Sequence, residues 1–219
     1  MIIFESKPLL LLCSLIILLF ISPFVEMTYW GDLIMTASFT GILLSLVRMV
    51  WDHHTMQIGA GLLAACAVIL LWAGDAFPQD TIWLLGEALH ICLSIVIITF
   101  ALIGIVQSET VDRDVLIGAV AIYLLIGITW SLIYSLVYGI DPTAFGDLLD
   151  GQPGSYWNQF VYFSFTTLTT LGYGDIVALS PVARMLSVFE AVIGVIFEAM
   201  IIARLVGLYR GSPANPESN

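Results

Sequence analysis

The stretch TTLTTLGYGD, Thr166–Asp175, sets four threonines and two glycines inside a chain that is otherwise apolar. Of 219 residues, 60% are hydrophobic and only 11% are charged, against about 25% charged in ordinary globular domains. The composition is that of a membrane protein. Backbone that is neither helix nor closed sheet survives at membrane depth only where protein or a water-filled cavity surrounds it. Thr166–Asp175 therefore reads as part of a re-entrant loop that faces away from lipid, and the rest of the fold is read outward from it.

A bilayer core of roughly 30 Å needs about 20 apolar residues in a helix. Runs that meet this extend over Pro8–Val25, Tyr29–Val50, Met56–Gly74, Ile82–Gln107, Val115–Ile140 and Pro181–Tyr209. The expected fold class is thus an all-α membrane protein with six transmembrane helices. Between the last two runs, 151–174 carries no charge but holds Gly154, Ser155, Asn158, Gln159 and the threonines. It predicts a short helix over 156–168 followed by an extended return. Ser180 and Pro181 read as cap and first position of the last helix. The first run follows Lys7 but is long, lacks a small-x-small cleavage site and precedes further spans, so it reads as a helix rather than a signal peptide.

The net charge of −11 reflects scarcity of Lys and Arg, six in all, and implies no nucleic-acid partner. Six spans put both termini on one side. Lys7, Arg48, Arg113, Arg204 and Arg210 favour the cytoplasm for it, with Arg184 outside, and the cell membrane is the expected location. Cys13, Cys66 and Cys92 all lie in apolar runs and read as reduced, packed thiols. The three histidines lack a neighbouring nucleophile or metal cluster, so no enzyme is expected.

Dehydrating a small cation costs tens of kcal/mol on a Born estimate, so a pore must replace the hydration shell with fixed oxygens. Consecutive carbonyls face one axis when alternate residues adopt left-handed dihedrals, which glycine does without steric cost. Gly172 and Gly174 have that spacing. Thr170 can add a hydroxyl oxygen, and Thr170–Gly174, extended, spans roughly 12–16 Å. One chain supplies only one wall, so four are required.

TLTTLGYGD resembles the selectivity filter of tetrameric potassium channels, whose core reads Thr-Val-Gly-Tyr-Gly-Asp. The resemblance implies that Thr170, Leu171, Gly172 and Tyr173 coordinate K⁺ through carbonyls, with Gly174 completing the filter, and that no cofactor is needed, K⁺ being the permeating ligand. It implies that Thr169, Tyr173 and Asp175 brace the filter. Leu171 stands where valine is commonest. The aromatic pair ahead of the filter is Tyr162 and Phe163, and Phe163 offers no donor to the Tyr173 hydroxyl, which leaves Thr167 as a candidate partner. The resemblance also matches Gly194 to a gating hinge, beside the alternative that it is a small residue for close packing. The C-terminus of the 156–168 helix carries roughly half a negative charge and would favour a cation in the cavity below it.

In the last helix Glu190 reads as a hydrogen-bonded structural residue near the short helix, and Glu198 as a carboxylate facing the ion pathway. Glu87 and His90, three apart, are close enough to pair, as a buried hydrogen-bonded pair that fixes helix packing or, alternatively, as a proton-sensitive gate. His53 and His54 read as a solvated turn. GAGLLAACA, Gly59–Ala67, reads as close helix packing, and Trp30, Trp51, Trp83 and Tyr209 as interfacial anchors. Ile82–Gln107 holds no Arg or Lys. A voltage sensor needs several charges, each yielding about 2.3 kcal/mol per 100 mV, so weak voltage dependence or none is expected.

The domain reading is a four-helix sensor-like unit over 1–107, a linker over 108–114, a pore domain over 115–209 and a disordered tail over 210–219. Its outer helix spans 115–140, its filter 170–174 and its inner helix 181–209. The expected function is passive K⁺ conduction by a homotetramer in the lipid bilayer. A potassium transporter and a non-conducting regulatory subunit are the alternatives.

Overall fold

The computed structural model describes residues 7–25, 31–49, 61–62, 64–70, 72, 80–108, 113–146, 148 and 156–209. The readings of His53 and His54, of Trp30 and Trp51, of the side chains of Trp83 and Tyr209, and of the 210–219 tail lie outside the described residues.

The chain runs through α1 (Lys7–Val25), α2 (Gly31–Met49), α3 (Asp80–Gln107), α4 (Arg113–Ile140), β1 (Phe145–Gly146), α5 (Tyr156–Leu168), β2 (Val177–Ala178) and α6 (Pro181–Tyr209). Residues 64–70, between α2 and α3, are also helical. Among the described residues, four stretches are long and apolar enough to cross a membrane: Pro8–Val25, Leu84–Gln107, Arg113–Ile140 and Pro181–Arg204. In α2 the apolar part is shorter, Leu33–Ile42.

Hydroxyls inside these helices have no water to turn to, so they bond back along their own helix. Ser38 donates to the Ile34 carbonyl, Thr40 to Thr36, Ser45 to Gly41 and Thr99 to Ile95, all at 2.7–2.8 Å.

Helix α4 is the central helix of the chain, packing against α1, α3, α5 and α6. Only 108–112 separate α3 from α4, and so short a connection makes the two antiparallel neighbours. Leu11, Leu15 and Leu18 of α1 meet Ile42, Leu93, Ile97 and Leu125 in one core. Ala64 and Ala67 are buried in that core. This is the close packing expected of the described part of the small-residue run.

The expected Glu87–His90 pair does not form. Both residues are buried, but Glu87 is hydrogen-bonded to Ser135 on α4. Among the described residues neither imidazole nitrogen of His90 has a hydrogen-bond partner, and its ring stands edge-on to Phe39, centroids 5.3 Å apart. The reason is tertiary: packing against α4 offers Glu87 a hydroxyl from a neighbouring helix, which takes it away from its own.

A two-stranded clamp ties the segment after α4 to the one before α6. Phe145 pairs with Ala178 and Gly146 with Val177, antiparallel. The Ala144 carbonyl accepts from the N–H groups of both Leu179 (2.8 Å) and Ser180 (3.2 Å).

Candidate functional site

Helix α5 and the segment behind it form the site. The segment turns because α5 runs out of helix-compatible backbone at Leu168. Thr169 N–H still donates to the Phe165 carbonyl at 3.1 Å, but Thr170 N–H closes a tighter turn onto Thr167 at 2.9 Å. Gly172 N–H then reaches back to the Thr166 carbonyl at 3.0 Å. Three backbone bonds thereby tie the segment to the last turn of α5.

Positive φ values fall at Thr170 (57°), Gly172 (53°) and Gly174 (78°). Every second residue from 170 to 174 is left-handed, the alternation that turns consecutive carbonyls toward a common side. Thr170 is the member that glycine spacing did not point to. A left-handed threonine costs roughly 1–2 kcal/mol, and the bond from its own N–H to Thr167 helps hold it there. Thr170, Leu171, Gly172, Tyr173 and Gly174 are all exposed in the single chain.

The Asp175 end of the segment is braced through Tyr162. The Tyr162 hydroxyl donates to Asp175 Oδ2 at 2.6 Å, and its ring lies parallel to that of Tyr173, 8° between planes and 6.4 Å between centroids. Asp175 Oδ1 takes the N–H of Ile176 at 3.1 Å. Phe163 points the other way, into a buried aromatic cluster with Tyr134 (5.0 Å) and Phe145 (5.6 Å). It supports the seat of α5 rather than the Tyr173–Asp175 end of the segment. Thr169 is occupied by its own helix, donating its hydroxyl to the Phe165 carbonyl at 2.6 Å.

The hydrogen bond from Tyr162 holds the Asp175 carboxyl below its ordinary pKa. A carboxylate with a lowered pKa keeps its bonds above the usual carboxylate range and loses them as pH falls through the lowered value. Conduction should therefore be insensitive to outside pH from 8 down to the carboxylate range. In Tyr162→Phe, Asp175 returns toward its ordinary pKa, so acid inhibition measured in single-channel recordings should begin at a higher pH than in the wild type. An unchanged acid midpoint would refute the brace.

Beneath this segment sits Glu190 of α6, fully buried. Its Oε2 accepts the Tyr134 hydroxyl from α4 and its Oε1 the Ser164 hydroxyl from α5, the latter at 2.6 Å. Ser164 is also within 2.7 Å of the Gly127 carbonyl of α4. One carboxylate thus pins three helices together, the bonded structural role read for it. Tyr134 and Ser164 were not singled out in the sequence. The one available hint was that a carboxylate in an apolar helix must find donors somewhere.

Gly194, one turn further along α6, lies against the end of α5. A Cβ built on it would stand 2.1 Å from the Leu168 carbonyl oxygen. Of its two readings, the close approach is what the packing explains. Glu198, a further turn on, is exposed in the single chain, and its Oε1 accepts the Tyr123 hydroxyl of α4 at 3.1 Å. Ser180 caps α6, its Oγ accepting the Ala183 N–H at 3.1 Å, while Arg184 Nε donates to the Ala178 carbonyl at 3.1 Å.

Residues 115–210 match the family described as ion channel. A curated relative, the inward rectifier potassium channel Kirbac3.1 of Paramagnetospirillum magnetotacticum, is 32% identical over 66 residues. Over residues 115–210 the chain is similar to ion channels, and over part of that stretch to a potassium channel. The match to Kirbac3.1 covers 30% of this chain and 22% of that relative. No solved structure matches the chain at a significant level. The ion channel match begins within α4 and ends just past α6, so it takes in α5, the turn at Thr170 and the Glu190 anchor. The apolar helices and the ion channel match together make the chain a multi-pass membrane protein.

Proposed function

We propose that this chain is the subunit of a homotetrameric, potassium-selective channel in the cell membrane, conducting K⁺ passively with weak voltage dependence or none. The observation that carries the reading is the alternation of left-handed residues at 170, 172 and 174, in a segment hung by backbone bonds from the end of α5. Thr170, Leu171, Gly172 and Tyr173 supply the coordinating carbonyls, Gly174 completes the filter, and Thr167, Thr169, Asp175 and Tyr162 support it.

Assembly is supported by the apolar surface of α6. Only 17% of its membrane stretch is buried within the chain, against 67% for α4, and Val188, Val192, Val195 and Ile196 are all exposed. Four copies around an axis would cover the faces turned inward, leaving lipid to cover the rest. The division is a six-span subunit, with a sensor-like unit over 1–107 joined by 108–114 to a pore domain over 115–209, and both termini cytoplasmic. The absence of Arg and Lys from 82–107 underlies the expected weak voltage dependence.

The test is recording from purified protein in planar bilayers under a K⁺/Na⁺ gradient across a range of voltages. A reversal potential near the potassium equilibrium value is expected; one near the sodium value overturns the selectivity, and a steep conductance–voltage curve overturns the voltage reading. Silence would favour a non-conducting regulatory subunit, and saturating, carrier-like flux a transporter. Glu198 is assigned to the cavity, where its carboxylate attracts internal Mg²⁺. In the same recordings Glu198→Gln should weaken internal Mg²⁺ block, and block identical to the wild type would remove it from the pathway.

A further inference from the structure

We propose that the helices preceding the pore regulate it through the first turn of α5, with Ser22, Phe39 and His90 acting as positioning residues for the filter of their own subunit. The inference rests on reading Thr170–Gly174 as that filter.

Two contacts from different helices converge on adjacent residues. Ser22, near the end of α1 and buried, donates its hydroxyl to Asn158 Oδ1 at 2.7 Å. Phe39 of α2 stands edge-on to the Trp157 ring, 4.9 Å between centroids and 81° between planes. On its other side Phe39 meets His90 of α3, again edge-on, at 5.3 Å and 86°. A line of contacts therefore runs from α3, the helix in the sensor position, through α2 to Trp157, while α1 holds the next residue.

What lies at the far end of α5 gives these contacts a consequence. The helix has 13 residues, a rod of about 20 Å. Its last turn carries the backbone bonds to Thr170 and Gly172, and Leu168 abuts Gly194. Packed helices shift as rigid bodies between discrete arrangements. A displacement of α1–α3 that moves Trp157 and Asn158 therefore reaches the filter backbone directly. Any stimulus acting on the first half of the chain would then change how long the filter stays conductive, while leaving the coordinating carbonyls, and so selectivity, intact.

The experiment is a double-mutant cycle on Ser22 and Asn158, read from single-channel recordings of the full-length protein in symmetric K⁺. Ser22→Ala and Asn158→Ala are each expected to shorten open dwell times by about threefold or more, the range of one hydrogen bond. The double variant should be no worse than the more affected single one. Unitary conductance and the K⁺/Na⁺ reversal potential should stay at wild-type values, and Ser22→Thr should restore the dwell time. Phe39→Leu, which keeps an apolar side chain but removes the ring contact, gives an independent reading if an Asn158 variant fails to assemble. Unchanged dwell times, or single effects that simply multiply in the double variant, overturn the inference while the channel reading stands. Wild-type protein that passes no K⁺-selective current overturns both.

Discussion

Replacing Gly194 by alanine is expected to abolish most of the current, by tenfold or more, and to destabilise the protein by about 2–3 kcal/mol. In an isolated helix the change would help, since alanine is favoured over glycine by about 1 kcal/mol. Here the new methyl would stand 2.1 Å from the Leu168 carbonyl oxygen and 3.0 Å from its carbon. The obstacle is backbone, not the tip of a flexible side chain, so α6 and α5 must separate. The separation falls two residues before Thr170, where the proposed filter begins.

The hinge reading and the contact reading part company in this variant. A hinge made stiffer by alanine would leave a folded channel that opens rarely, with wild-type thermal stability in detergent. The contact reading predicts a fall in melting temperature of roughly 4–12 °C together with the loss of current. Gly127→Ala makes the useful control. Its Cβ would meet the Phe165 ring at 2.6 Å, a side chain that can swing, so a smaller loss of stability is expected.

Glu190→Ala is expected to cost about 3 kcal/mol or more. The carboxylate is fully buried and accepts two hydroxyls, from Tyr134 and Ser164, which are themselves fully buried. Truncation orphans the Tyr134 hydroxyl, at about 1–3 kcal/mol, while Ser164 keeps the Gly127 carbonyl as acceptor, and the lost side chain leaves a cavity where the three helices meet. No water is at hand in the membrane interior to replace the lost acceptor. Glu190→Gln keeps one acceptor oxygen and offers an amide N–H₂ that a hydroxyl can accept, so it should recover most of the stability. Thermal denaturation of the detergent-solubilised variants checks the order wild type, then Gln, then Ala. An alanine variant as stable as the glutamine one would show that Glu190 does not hold α4, α5 and α6 together.

Much of the site was legible in residue order. The turn after α5 could be read because Gly172 and Gly174 mark left-handed backbone, and the start of α6 because Ser180 and Pro181 are a cap and a first-turn residue whatever surrounds them. Thr170 was legible as an oxygen donor but not as a third left-handed residue. Its dihedral comes from the N–H bond to Thr167 and from Gly172 reaching back to Thr166, neither of which side-chain identity specifies. Tyr162 was legible as one of an aromatic pair. That its hydroxyl would serve Asp175 and its ring would lie along Tyr173 depended on how α5 rotates against α4, which seats Phe163 among Tyr134 and Phe145.

Taken alone, the sequence determined that this is an apolar, helical membrane chain, where a short helix and turn interrupt its long helices and which backbone positions can turn carbonyls to one side. These properties are local: they follow from hydropathy over about 20 residues and from the dihedral freedom of single glycines. Only the tertiary structure decided that Glu87 bonds Ser135 instead of His90, that Glu190 pins three helices, that Gly194 accommodates the Leu168 carbonyl, and that Ser22 and Phe39 reach the head of α5. A helix that is hydrophobic on all sides carries no stripe to say which face turns toward which neighbour. Those choices are made when the helices pack, by the fit of a few buried polar groups and close approaches.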